Sequence, residues 1–182
     1  VFYHKSPRNL SITRAKLLTK NRTKKSKIVA LTVNPDDIFL QEIIKFIKPD
    51  YIQLHGEESP KRCENIKDKF NIPLIKGIGI KKNIDLKRHI KTYAEICDIL
   101  ILDAPSEELP GGNGKKFDWK ILKNYKSKKK WMLAGGLNIN NISEAIDITK
   151  PPAIDISSGL EIIKGVKNPQ LIKNFVLKCR NL

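Results

Sequence analysis

Thiols are scarce in this chain: the sequence carries only Cys63, Cys97 and Cys179, widely scattered. An odd number without metal-type spacing argues against a disulfide framework and against a metal site, and fits reduced thiols in a cytosol. No run approaches the roughly 18 apolar residues of a membrane-spanning helix, and no signal-peptide pattern is visible. The expectation is therefore a cytoplasmic protein with no membrane partner. Acids are also in short supply, with 19 Asp and Glu against 35 Lys and Arg and a formal charge of +16. Such a balance raises nucleic acid as a partner. Lysine, however, is spread along the whole chain beside abundant isoleucine and asparagine, the pattern of an AT-rich coding bias. The tightest cluster, residues 20–27 (KNRTKKSK), holds no aromatic side chain on which a base could stack. A solvated basic surface is the better reading, and no nucleic-acid partner is expected. Forty per cent hydrophobic content excludes disorder, and 182 residues suit a single domain spanning 1–182.

What is present is concentrated near the end, in WMLAGGLNINNISEAIDITKPPAIDISSGLE, residues 131–161. The apolar run 131–134 stops at Gly135-Gly136, and a helix follows with Ile142, Ala145 and Ile146 at helical spacing. A second short strand, 153–156, stops at Ser157-Ser158-Gly159. Glycines after a strand let the backbone approach a ligand and turn its N–H groups towards an anion. Two such turns after consecutive strands match the phosphate site built from the last loops of a (β/α)8 barrel.

The preceding chain alternates in the same way. Strands are expected at 1–3, 28–33, 51–55, 73–78 and 98–103. Helices are expected after Ser11, after Asn34-Pro35-Asp36-Asp37, after Ser59-Pro60, over 85–93 and from Phe117-Asp118-Trp119. A loop rich in glycine and proline covers 104–116, and a final helix carries Leu171, Ile172, Phe175 and Val176. Buried strands alternating with helices mean βαβ units and a parallel sheet. Seven units suggest an α/β (β/α)8 TIM barrel lacking its first βα unit, and the chain opens on a strand without an initiator methionine, as if something preceded Val1. The runner-up is a doubly wound open sheet, whose glycine turn usually follows its first strand instead.

Side-chain alternation puts Tyr51, Gln53 and His55 on one face, as it does Ile99, Ile101 and Asp103, and Ala153, Asp155 and Ser157. Polar residues pointing inward near strand C-termini face the catalytic end of a barrel. Asp103 ends an apolar run, and burial without a partner would raise its pKa and suit it to a general acid. Lys76 could pair with Asp103 or Asp155.

These residues carry a resemblance. The stretches VFYHKSPR, VNPDD, IQLHGEE, LILDA followed by GGNGKKFDW, then LAGGLN and IDISSGLE, in this order, resemble the phosphoribosylanthranilate isomerase family of tryptophan biosynthesis. The resemblance implies an Amadori rearrangement of an aminoaldose to an aminoketose, acting on N-(5-phosphoribosyl)anthranilate without cofactor or metal. A general acid protonates the furanose ring oxygen, a general base removes the C2 proton, and the enolamine collapses to the ketose. It further implies that Asp103 is the acid and that Arg8 lies near the anthranilate carboxylate. Gln53, His55, Gly112 and Gly114 would shape the substrate site, and Gly135, Gly136, Ser157, Ser158 and Gly159 would bind phosphate. Such a protein would be a monomer or a homodimer.

One departure stands at the front. Family members begin with a strand carrying a Lys-Ile-Cys-Gly segment whose cysteine is the general base, and that segment is absent here. None of the three cysteines is placed to replace it. The expectation is an N-terminally truncated copy that binds phosphate weakly and isomerises poorly. A second departure is His4, where the family usually has proline, read as a bystander. Other barrels of the pathway, such as indole-glycerol-phosphate synthase, and a basic nucleic-acid-binding protein remain as rivals.

Overall fold

The computed structural model describes residues 1–20, 22–23, 25–80, 86–105 and 117–182, without the side chains of Leu86 and Lys87. Five strands form one parallel sheet: β1 (Val29–Thr32), β2 (Tyr51–Leu54), β3 (Leu74–Gly79), β4 (Ile99–Asp103) and β5 (Lys130–Leu133). Single parallel bridges extend it on both sides, from Phe2 to Thr32 and from Leu133 to Ile154. Every line of the sheet therefore neighbours the one before it in the chain. A doubly wound sheet must reverse its strand order at a switch point, and this order never reverses, which favours a barrel-like winding.

The helices begin where the sequence supplies caps. Ser11 accepts from Arg14 N–H at 3.2 Å to start α1 (Ile12–Thr19), and Asp36 accepts from Phe39 N–H at 2.7 Å to start α2 (Asp37–Ile47). Ser59 caps α3 (Pro60–Phe70) through Arg62 N–H at 3.2 Å, with Pro60 in the first turn where its missing N–H costs nothing. The remaining helices are α4 (Leu86–Ile96), α5 (Ile142–Thr149) and α6 (Pro169–Arg180), the last capped by Asn168. The helix expected from Phe117 is only a single 3-10 turn, Trp119–Leu122, capped by Asp118. That one turn still buries Trp119 and Leu122. The loop expected over 104–116 lies largely outside the described residues, Gly112 and Gly114 with it.

Alternation along the strands divides the core in two. Leu54, Leu74, Leu100, Leu102 and Leu133 point at the helices, where they meet Leu40, Ile43, Ile66 and Ala145. The opposite face packs Ile75, Ile101 and Ala134 with Tyr51, Ile99 and Met132 in a smaller interior cluster. Such layering is how the inside of a barrel is filled. After the last bridge the chain makes an unexpected antiparallel hairpin of β6 (Glu161–Ile163) and β7 (Val166–Lys167), turned at Gly165 with φ 89°. The hairpin leans on the N-terminal segment: a Cβ on Gly165 would come within 2.8 Å of Pro7 O.

Candidate active site

The C-terminal ends of the parallel strands open onto one cavity, lined by Arg8, Gln53, His55, Asp103, Asp155 and Ser157 among others. Inward parity put five of these side chains there. Buried Asp103 accepts from Ala104 N–H at 2.7 Å and lies 3.3 Å from His55 Nε2. The condition of burial without a partner is thus not met: His55, just past the end of β2 and across β3, brings its ring to Asp103. Gln53 Nε2 lies 3.1 Å from His55 Nδ1. An amide nitrogen only donates, so in this arrangement Nδ1 accepts, which leaves the ring proton to Nε2, the nitrogen nearer Asp103. A Cβ on Gly77 would stand 2.4 Å from His55 Nδ1, so the absence of a side chain there makes room for the ring against β3.

Half-buried Asp155 is held above the usual carboxylate range, first by desolvation and then by the neighbouring charge of Asp103. Sequence reasoning placed it on the inner face but assigned it no task. The signal was available in its position one strand exit beyond the first glycine turn.

Both glycine turns stand at this same end and touch one another. Gly135 and Gly136 have φ of 90° and 62°, a region that favours glycine. A Cβ on Gly135 would lie 3.1 Å from Asp103 Oδ1, and a Cβ on Gly159 would lie 2.0 Å from Leu137 O. The Gly136 carbonyl is tied by Asn141 Nδ2 at 2.9 Å. Ser157 meets a residue the sequence reading missed: Lys167 Nζ donates to its carbonyl at 2.7 Å and to its Oγ at 3.2 Å. Lys167 lies on the unforeseen hairpin, and nothing in its local sequence marks it.

Arg8 lines the same cavity and is anchored within the chain. Its Nε and Nη2 each donate to the Glu161 carboxylate at 2.7 Å, a bidentate pair that engages one edge of the fork. Arg8 together with Lys167 and the Gly165 N–H holds the Glu161 carboxyl down at about 2. Lys76 pairs with neither Asp103 nor Asp155. It shares strand parity with Leu74 and Ile78, faces the helix layer, and pairs with Glu58 at 3.1 Å. His4 packs its ring edge on Tyr3 and lines a separate cavity beside Phe39 and Asp36. Cys63 and Cys179 lie in α3 and α6, and Cys97 precedes β4 at the end away from Asp103.

The family model described as N-(5'phosphoribosyl)anthranilate (PRA) isomerase matches residues 1–178. An N-(5'-phosphoribosyl)anthranilate isomerase of Rhizobium rhizogenes is 42% identical over 178 residues, covering 96% of this chain and 80% of that protein. The solved phosphoribosyl anthranilate isomerase of Thermotoga maritima superposes with a TM-score of 0.86 at 31% identity, covering 100% of this chain and 86% of that one. A phosphoribosyl anthranilate isomerase solved with reduced 1-(o-carboxyphenylamino)-1-deoxyribulose 5-phosphate gives 0.83 at 30% identity, covering 100% and 85%.

Proposed function

Because the chain belongs to the N-(5'-phosphoribosyl)anthranilate isomerase family, we propose that the cavity at the strand C-termini carries this isomerisation, with Asp103 as its general acid. The observation that carries the reading is the meeting of Asp103 with both glycine turns at one end of one sheet. The finer reading of the scaffold is a (β/α)8-type barrel, in one domain, of which the described residues supply seven parallel lines in consecutive order. The family match gives no ground for the reduced turnover expected from the absent cysteine segment, and that expectation is not carried forward.

The substrate phosphate sits on the N–H groups of Gly135-Gly136 and Ser157-Gly159, where backbone dipoles favour an anion. From there the ribose reaches Asp103, whose proton passes to the furanose ring oxygen as the ring C–O bond breaks and the Schiff base forms. The ring of His55, with Nε2 3.3 Å from the Asp103 carboxyl, orients the acid. Asp155 lines the same cavity, its carboxyl raised first by desolvation and then by the charge of Asp103. Arg8 offers the edge of its guanidinium left by Glu161 to the anthranilate carboxylate. The setting is the cytoplasm, and the partner is a small phosphoribosyl molecule.

Asp103→Asn tests this. A general acid contributes about 10²–10⁴-fold, so kcat should fall by that factor in a steady-state isomerase assay while phosphate binding is kept. Full turnover by the variant would remove Asp103 from the acid role.

A further inference from the structure

Behind the cavity, on the helix side of the sheet, lies an ion pair that the chemistry above does not use. The side chains of Glu58 and Lys76 are 1% and 3% exposed and stand 3.1 Å apart. Burying two charges is costly enough that a well-packed apolar pair is often as stable or more so, which makes stability a weak reason for their presence. Lys76 Nζ also lies 5.5 Å from the centre of the Tyr93 ring on α4, while the other hydrogen bonds of the two side chains go to the backbone of the strand exits that carry the site. Glu58 accepts from Asn34 N–H at 2.8 Å and from Gly56 N–H at 3.0 Å. Lys76 donates to Gly56 O at 2.8 Å, Gly77 O at 2.9 Å and Leu54 O at 3.3 Å. His55 therefore sits between two residues whose carbonyls are gripped by Lys76. The floor beneath its ring, Gly77, is gripped by the same ammonium group.

We infer that Glu58 and Lys76 are positioning residues for the isomerisation, fixing the exits of β1, β2 and β3 so that His55 keeps Nε2 beside Asp103. The inference rests on the reading of Asp103 and His55 given above. The pair touches no substrate. It acts by holding the His55 backbone and the Gly77 surface in register, so that the 3.3 Å contact and the 3.1 Å Gln53 contact are made by one ring orientation. Misplacing a catalytic group by about 1 Å can cost on the order of 10²-fold in rate. The loss should fall on kcat, because phosphate and carboxylate binding use other loops.

The test is nitrogen-15 NMR of the His55 imidazole alongside steady-state kinetics in the full chain, Glu58→Gln and Lys76→Met. In the parent the Nε2–H tautomer should dominate. Each variant should lose that preference and drop kcat by about 10²-fold, with KM within about threefold. Should a pair variant fail to fold, Gly77→Ala asks the same question with the pair intact, since its methyl would stand 2.4 Å from Nδ1 and push the ring aside. It should reproduce both effects. Parent-like tautomer and kcat in the folded variants or in Gly77→Ala overturn the inference, and so does a fall in kcat with the parent tautomer kept. Asp103→Asn separates the two levels. If it retains turnover, the reading of the site fails; if it is inactive while the pair variants match the parent, the inference alone fails.

Discussion

Replacing Gly159 by alanine adds one methyl at the seam between the two glycine turns. The new Cβ would lie 2.0 Å from Leu137 O and 3.1 Å from Asn138 Cα. Real Cβ contacts essentially never fall below 3.0 Å, so one turn must retreat by about 1 Å. The obstacle is a backbone carbonyl rather than the end of a flexible side chain, and Leu137 is itself buried at 2% exposure. Retreat therefore means parting the two loops. Overpacking of this kind costs about 1–3 kcal/mol. For a chain of this length each kcal/mol is worth roughly 2–4 °C, so Tm should fall by about 2–12 °C. If both turns contribute N–H groups to one anion, a 1 Å parting should weaken its binding by on the order of 10²-fold. Differential scanning calorimetry and isothermal titration with inorganic phosphate and with the ketose product measure the two effects. Ser158→Ala, which removes a hydroxyl and adds no bulk, is the control and should melt near the parent. A variant that melts lower yet binds phosphate with parent affinity would refute the shared anion site. A parent-like Tm would refute the contact itself.

Other outcomes follow from the same geometry. Arg8 first, then Lys167 and the Gly165 N–H, hold the folded Glu161 carboxyl at about 2 against an ordinary 4.5. A lowered folded value means that the stabilisation is complete above pH 4.5 and is lost as pH falls towards 2. Melting temperature over that window should drop more steeply in the parent than in Glu161→Gln, and parallel curves would count against the pair. Arg8→Lys keeps the charge but not the fork, so KM for the isomerase substrate should rise by roughly 10-fold with a smaller change in kcat. An unchanged KM would place the anthranilate carboxylate elsewhere. Ile43→Ala empties a fully buried position on α2 and should cost about 2–5 kcal/mol, seen as a Tm lower by roughly 4–20 °C.

The inward-facing half of the site was legible because a strand alternates its side chains strictly. Gln53, His55 and Asp103 could be set on the cavity face from spacing alone. Caps were equally legible at Ser11 and Ser59, since each acts within its own first turn; at the second helix, Pro35 and Asp36 were expected inside the first turn, whereas Asp36 caps it and Pro35 precedes it. What escaped was decided by partners far along the chain. Lys76 has the same local pattern whether it faces an aspartate or a glutamate; only the fold of the loop between β2 and α3 brings Glu58 to it. Arg8 and Glu161 are separated by 153 positions, so no window of sequence contains both. The strand expected at 153–156 shrank to one bridge at Ile154 because its ladder is completed from a single side by Leu133. The shorter turn at Trp119–Leu122 follows from tertiary demand: two buried side chains are all that position must supply.

The consecutive order of the strands bears on how the chain finds its fold. Each ladder joins residues about 20–30 positions apart, a local pattern that keeps loop-closure entropy small at every step. Assembly can thus advance unit by unit, while the Arg8–Glu161 pair must wait until both flanks of the sheet exist. Amide protons of β2 and β3, hemmed in on both sides, should accordingly exchange last, and those around Phe2 and Ile154 first.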